Sequence, residues 1–96
     1  MLYLALHTWK KENFTTIGRK VIESMPNLPK GVTMLASYTD ARQTGAWCLY
    51  ETESPEKVAE FWDRNVPEMG KTQMVPIIQF FPPGPDLYKI MHELMK

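Results

Sequence analysis

The 96-residue sequence is short of cysteine, of histidine and of any concentration of one charge, and each shortage excludes something. A single cysteine, Cys48, rules out an internal disulfide and removes the usual thiolate zinc patterns. A reducing, cytoplasmic location is the natural expectation. Eleven basic and eleven acidic residues are interspersed without a block of either sign. That disfavours nucleic acid as a partner, because nucleic-acid binding needs a concentrated basic stripe, and equally disfavours an electrostatic membrane anchor. No apolar run approaches the ~18 residues of a membrane span. The first residues lack a basic lead, and Lys10-Lys11-Glu12 interrupts them too early for a signal peptide. The five glycines are scattered, so no phosphate-cradling loop is seen, and no Ser/His/Asp arrangement has a recognisable local context. No metal and no cofactor is expected.

What is present is clear punctuation. A chain of this length makes one domain, over residues 1–96, hiding roughly 60–68% of its unfolded surface. Residues 2–9 form a first strand. Phe14, Ile17, Val21, Ile22 and Met25 then recur at helical spacing, with Gly18 on the same stripe, and predict a helix over 13–25 with Asn13 as cap. Pro26 and Pro29 stop it. Strands over 32–39 and 46–52 flank a hairpin loop at 40–45. Ser54-Pro55-Glu56 starts a second helix, with Val58, Phe61 and Trp62 on its apolar stripe, closed between Asn65 and Gly70. A fourth strand runs over 73–81. A Pro-rich break at 82–85 leads to a last helix capped by Asp86, so that 81–96 is a C-terminal extension.

This β-α-β-β-α-β order, plus one helix, is the ferredoxin-like α+β pattern, with a four-stranded antiparallel sheet. Strands one and three are expected at its centre and two and four at its edges. Pro76 fits, since proline in a sheet is confined to edges, first positions and bulges. Two long helices cover one face. The other face should then alternate with polar residues, yet Leu2, Leu4, Leu6, Trp47 and Leu49 do not. Five or six large apolar side chains left in water forgo on the order of 10 kcal/mol, comparable with the ~5–15 kcal/mol stability of a domain. The tail after the Pro-rich break could cover part of that face and a second copy of the same sheet all of it; a two-fold homodimer is expected, with the last helix trimming the edge or one mouth of the interface. In strand two, Thr33, Ser37 and Thr39 are expected on one face, with Val32, Met34 and Ala36 on the other.

Several short motifs, taken in order, carry a likeness. They are His7-Thr8-Trp9 ahead of Lys11-Glu12-Asn13, Gly45-Ala46-Trp47-Cys48-Leu49-Tyr50-Glu51-Thr52, Ser54-Pro55-Glu56, Phe61-Trp62, and Met74-Val75-Pro76-Ile77. Over about residues 2–80 the chain resembles a family of small uncharacterised proteins in the dimeric α+β barrel superfamily. The resemblance implies the fold and the homodimer, but no activity. The superfamily includes cofactor-free monooxygenases, isomerases and small-molecule-sensing domains, and fold analogy is a weak guide among them.

Among individual residues, His7 is the candidate catalytic group. An imidazole in an apolar pocket can carry a proton near neutrality. The alternative is a buried neutral histidine bonded to backbone or to Thr8. Tyr3, Trp9, Tyr38 and Trp47 are candidate ligand-lining aromatics, against the alternative that they only pack. His92 shares a helix face with Tyr88 and is a candidate lid contribution. Cys48 is expected to be buried and inert. Glu51 and Glu53 read as a solvated strand end, and the seven methionines as core filling. Two functions follow. One is a protein that binds an apolar or aromatic small molecule, either as a binder or as a cofactor-independent oxygenase or isomerase. The other is a non-catalytic dimeric interaction or regulatory module.

Overall fold

A computed structural model describes residues 1–84 and 86–96. Four strands, β1 (Leu2–Thr8), β2 (Thr33–Thr39), β3 (Gly45–Glu51) and β4 (Gln73–Ile77), form one antiparallel sheet in the order β2-β3-β1-β4. Helices α1 (Phe14–Ser24) and α2 (Pro55–Asn65) cover one face, and α3 (Leu87–Leu94) follows the sheet. The architecture is α+β and ferredoxin-like, with β1 and β3 central as the strand pattern requires. No helix among the described residues is long and apolar enough to cross a membrane.

Register assigns each side chain a face. Tyr3 pairs with Tyr50, Ala5 with Cys48 and His7 with Ala46. These residues point toward the helices, where Ala5, Cys48 and Tyr50 join Ile17, Val58, Phe61 and Trp62 in the core. Leu4, Leu6, Trp47, Leu49, Val75 and Ile77 alternate to the other face, because successive strand residues point in opposite directions. No helix of the α1–α2 layer reaches that face, and Trp47 is 43% exposed there.

Three expectations need correction. The fourth strand stops at Ile77, four residues before the expected end. Its partner β1 begins at Leu2, which pairs with Ile77, so later residues have no strand to bond. Phe80 and Phe81 are consequently exposed. The expected caps Asn13 and Asp86 make no side-chain cap bond, and neither does Ser54 at the start of α2. A 3-10 turn over Lys11–Asn13 already runs into α1, placing Asn13 in helical backbone, and Asn13 N–H donates to the Lys10 carbonyl. Ser54 N–H instead donates to Thr52 Oγ1. Finally, β2 carries an irregularity between Met34 and Ala36, so Leu35 has no partner on β3. The extra residue resets the alternation. Met34, Ser37 and Thr39 therefore point to the α1 side of the sheet, Ser37 and Thr39 remaining exposed at its β2 edge, and Ala36 lies opposite. Pro85, part of the expected Pro-rich break, lies outside the described residues.

Candidate functional site

Two rows of residues run across the sheet beneath α1. In one, His7 on β1 pairs with Ala46 on β3, and Ala46 pairs with Thr39 on β2. In the next, Ala5 pairs with Cys48, and Cys48 with Ser37. The small Ala46 thus lies between two polar side chains. Above these rows α1 presents Ile17, Gly18 and Val21. A cleft of about 200 Å³ lies between helix and sheet, with His7, Thr39, Ala46 and Gly18 on its lining.

The hairpin joining β2 to β3 holds one wall, Trp9, in place. Asp40 accepts from the Thr44 backbone N–H at 3.1 Å and from its hydroxyl at 2.9 Å. The Thr44 backbone bond leads in holding the Asp40 carboxyl below the usual carboxylate range. Gln43 takes the left-handed conformation at φ 66°. Its carbonyl accepts from the Trp9 indole Nε1–H at 2.7 Å. Trp9 in turn stacks on Phe14, with centroids 6.3 Å apart and ring planes 15° from parallel. Both rings line the cleft. Gly45 closes the hairpin where only glycine fits: an added Cβ would stand 2.9 Å from the His7 carbonyl oxygen.

His7 is only 3% exposed. Its Nδ1 is enclosed without a hydrogen-bond partner among the described residues. Burial pushes the imidazole below its ordinary pKa, and the negative charge of Asp63 partly opposes this. The ring is therefore neutral at pH 7, with one N–H donor and one lone pair to offer. An unpaired buried polar group costs about 1–3 kcal/mol, so its position calls for an explanation. Asp63 is itself occupied, accepting from the Thr72 backbone N–H at 2.9 Å and its hydroxyl at 2.8 Å.

Cys48 is buried, with its Sγ 3.3 Å from Ser37 Oγ. Burial pushes its thiol up, more than the Ser37 contact lowers it. No Asp, Glu, Lys or Arg lines the cleft. Its chemistry is that of an apolar slot with a neutral imidazole at one end and hydroxyls at the other.

Gly18 sits inside α1, where glycine costs roughly 1 kcal/mol relative to alanine. Packing does not demand it. A Cβ at this position would meet nothing within 4 Å, and its backbone is not in the left-handed region.

The cleft brings together two of the sequence-predicted site residues, His7 and Trp9. Tyr3 shares their face of the sheet but is absent from the lining. Tyr38 and Trp47 pair with each other on the opposite face, 63% and 43% exposed. His92 is exposed on α3. Sequence reasoning missed Ser37 and Thr39, because the irregularity in β2 is invisible to simple alternation. Gly18 did carry a signal, as a glycine on an otherwise apolar helical stripe. Among the described residues no group of three or more His, Cys, Asp or Glu could hold a metal ion.

A four-stranded antiparallel sheet under two helices, with an enclosed polar group in the layer between, defines a small ferredoxin-like α+β protein. Residues 1–80 match the family model described as a domain of unknown function, DUF3303, and the chain belongs to that family. No curated protein matches it. Among solved structures it is similar to SCO4226 from Streptomyces coelicolor A3(2), at 14% identity and a TM-score of 0.51. That likeness covers 82% of this chain and 100% of the other, and it concerns the fold alone.

Proposed function

We propose that the protein binds a small apolar or aromatic molecule in the cleft between α1 and the sheet. His7 carries this reading, because its ring lines the cleft and its Nδ1 is enclosed without a hydrogen-bond partner among the described residues. It is a polar group held in an apolar slot, which is how ligand sites combine affinity with orientation. A neutral imidazole there is also suited to accept a proton from a bound molecule, the step that a cofactor-independent isomerase or oxygenase needs. The single, buried Cys48 suits a reducing cytoplasm. The test is native mass spectrometry of protein isolated gently from its source cells. A retained small-molecule mass that disappears in His7→Leu supports the reading. Protein that is ligand-free and whose His7 resonances ignore a broad small-molecule library overturns it.

A second, compatible reading concerns the other sheet face. Tyr38 and Trp47 stand exposed beside Leu4, Leu6, Leu49 and Val75, a continuous apolar surface with no helix of the α1–α2 layer over it. We assign this surface to a homodimer in which two sheets face each other.

A further inference from the structure

We propose that Gly18 and Ala46 are the size-selecting pair of the cleft. They leave a slot for one neutral, single-ring molecule carrying a hydroxyl at each end. One hydroxyl meets the His7 imidazole and the other Thr39. The inference rests on the reading of the cleft as a ligand site and deepens it to a ligand class.

Gly18 is the starting point. Mid-helix glycine is unfavourable, and here neither a positive φ nor a close neighbour requires it. The space over its Cα opens into the cleft that Ala46 floors. Two small residues on the lining of one slot keep it open; a larger side chain at either would fill it.

The remaining walls set the ligand's character. A volume of about 200 Å³ is a little above the ~150 Å³ of an apolar cavity that takes a benzene ring. It is below the ~300–1,000 Å³ of ordinary drug-sized sites. The lining has no charged side chain to pair with an ionised ligand, and beside the buried His7 an unpaired charge is strongly disfavoured. Thr39 at the other end is exposed, so the demand for a neutral ligand comes from the His7 end. The ligand's polar ends follow from register. His7 and Thr39 flank Ala46 in a single row, each one strand away, so their Cα atoms are roughly 10 Å apart. A ring lying across Ala46 has its two ends directed at them. A hydroxyl suits both ends, since it donates and accepts and so matches either tautomer of a neutral imidazole as well as the Thr39 hydroxyl.

The test uses one ring with different ends. 1,4-Benzenedimethanol, p-xylene and terephthalate are titrated into the full chain and followed by amide chemical shifts. The diol is expected to bind with shifts centred on His7, Gly18, Thr39 and Ala46. Binding of p-xylene should be at least tenfold weaker, and terephthalate should not bind. Gly18→Leu should abolish diol binding. Gly18→Ala should weaken it while raising Tm, a combination that separates a blocked slot from a damaged fold. Equal diol affinity in wild type and Gly18→Leu overturns the assignment of Gly18 but leaves the cleft a ligand site. Tighter binding of terephthalate or p-xylene than of the diol overturns the ligand class. If no probe binds wild type, yet protein from its source cells retains a ligand mass that His7→Leu loses, the single-ring class fails and the broader reading stands. If no probe binds and no mass is retained, both fail.

Discussion

The indole Nε1–H of Trp62 donates to the hydroxyl of Tyr50 over 2.7 Å, tying the middle of α2 to β3 in the core. Tyr50 is 0% exposed and Trp62 2%. Burial, with a smaller contribution from Cys48, pushes the Tyr50 hydroxyl far above its ordinary pKa, so it stays neutral and free to accept. Tyr50→Phe keeps the ring but leaves the indole N–H without its partner. The expected loss is about 1–3 kcal/mol, the cost of an unsatisfied buried donor. For a domain of this size that lowers Tm by roughly 4–8 °C per kcal/mol. A thermal melt checks it, and an unchanged Tm would mean that the bond contributes nothing.

The strand order was legible because it follows from punctuation and periodicity. Pro76 placed β4 at an edge, and the Val58/Phe61/Trp62 stripe located the buried face of α2. The site was half legible. His7 could be singled out because an imidazole inside an apolar strand is rare, and Trp9 follows it closely. Ser37 and Thr39 could not be placed, since one unpaired residue, Leu35, changes which way the rest of β2 faces. Tyr38 and Trp47 were grouped with His7 by residue type. Alternation along β3 alone sends Trp47 to the face opposite Ala46 and Cys48, and cross-strand pairing carries Tyr38 with it. The caps failed for a local reason: Asn13 is held in helical backbone by a 3-10 turn that has no distinct sequence signature.

Cys48 should resist alkylation in the native protein. Its thiol is buried and held protonated by that burial, and the thiolate is the reactive form. Iodoacetamide at pH 8 is expected to modify it only after denaturant is added, with a native rate at least tenfold below that of an unfolded control. Native labelling as fast as the control would show that the α1 side of the sheet opens freely.

Trp47 tests the exposed sheet face. It is 43% exposed and paired with Leu6 on β1 and Tyr38 on β2, within the apolar surface. If two sheets meet there, wild type sediments at twice the 11.2 kDa chain mass. Trp47→Glu then halves that mass by placing a carboxylate in a dry interface. Its far-ultraviolet dichroism should be unchanged, because the side chain lies outside the α1–α2 core. A wild-type monomer at micromolar concentration overturns the homodimer.

His7 makes stability depend on pH with a definite sign. Its folded pKa lies below the unfolded value of about 6.5 because burial disfavours the charged ring. Between the two values the unfolded chain binds more protons than the folded one, so stability rises with pH. The full stability is present above about pH 6.5 and is lost as pH falls toward the folded pKa, below which this contribution levels off. Urea-melt midpoints of wild type should therefore decline on acidification through this window. Those of His7→Gln should stay flat until the carboxylates begin to titrate. The His7 ring resonances of the folded protein should titrate below about pH 6.5. A His7 that titrates at or above the unfolded value would mean that a partner holds its charged form, and the neutral imidazole on which the cleft's chemistry depends would be wrong.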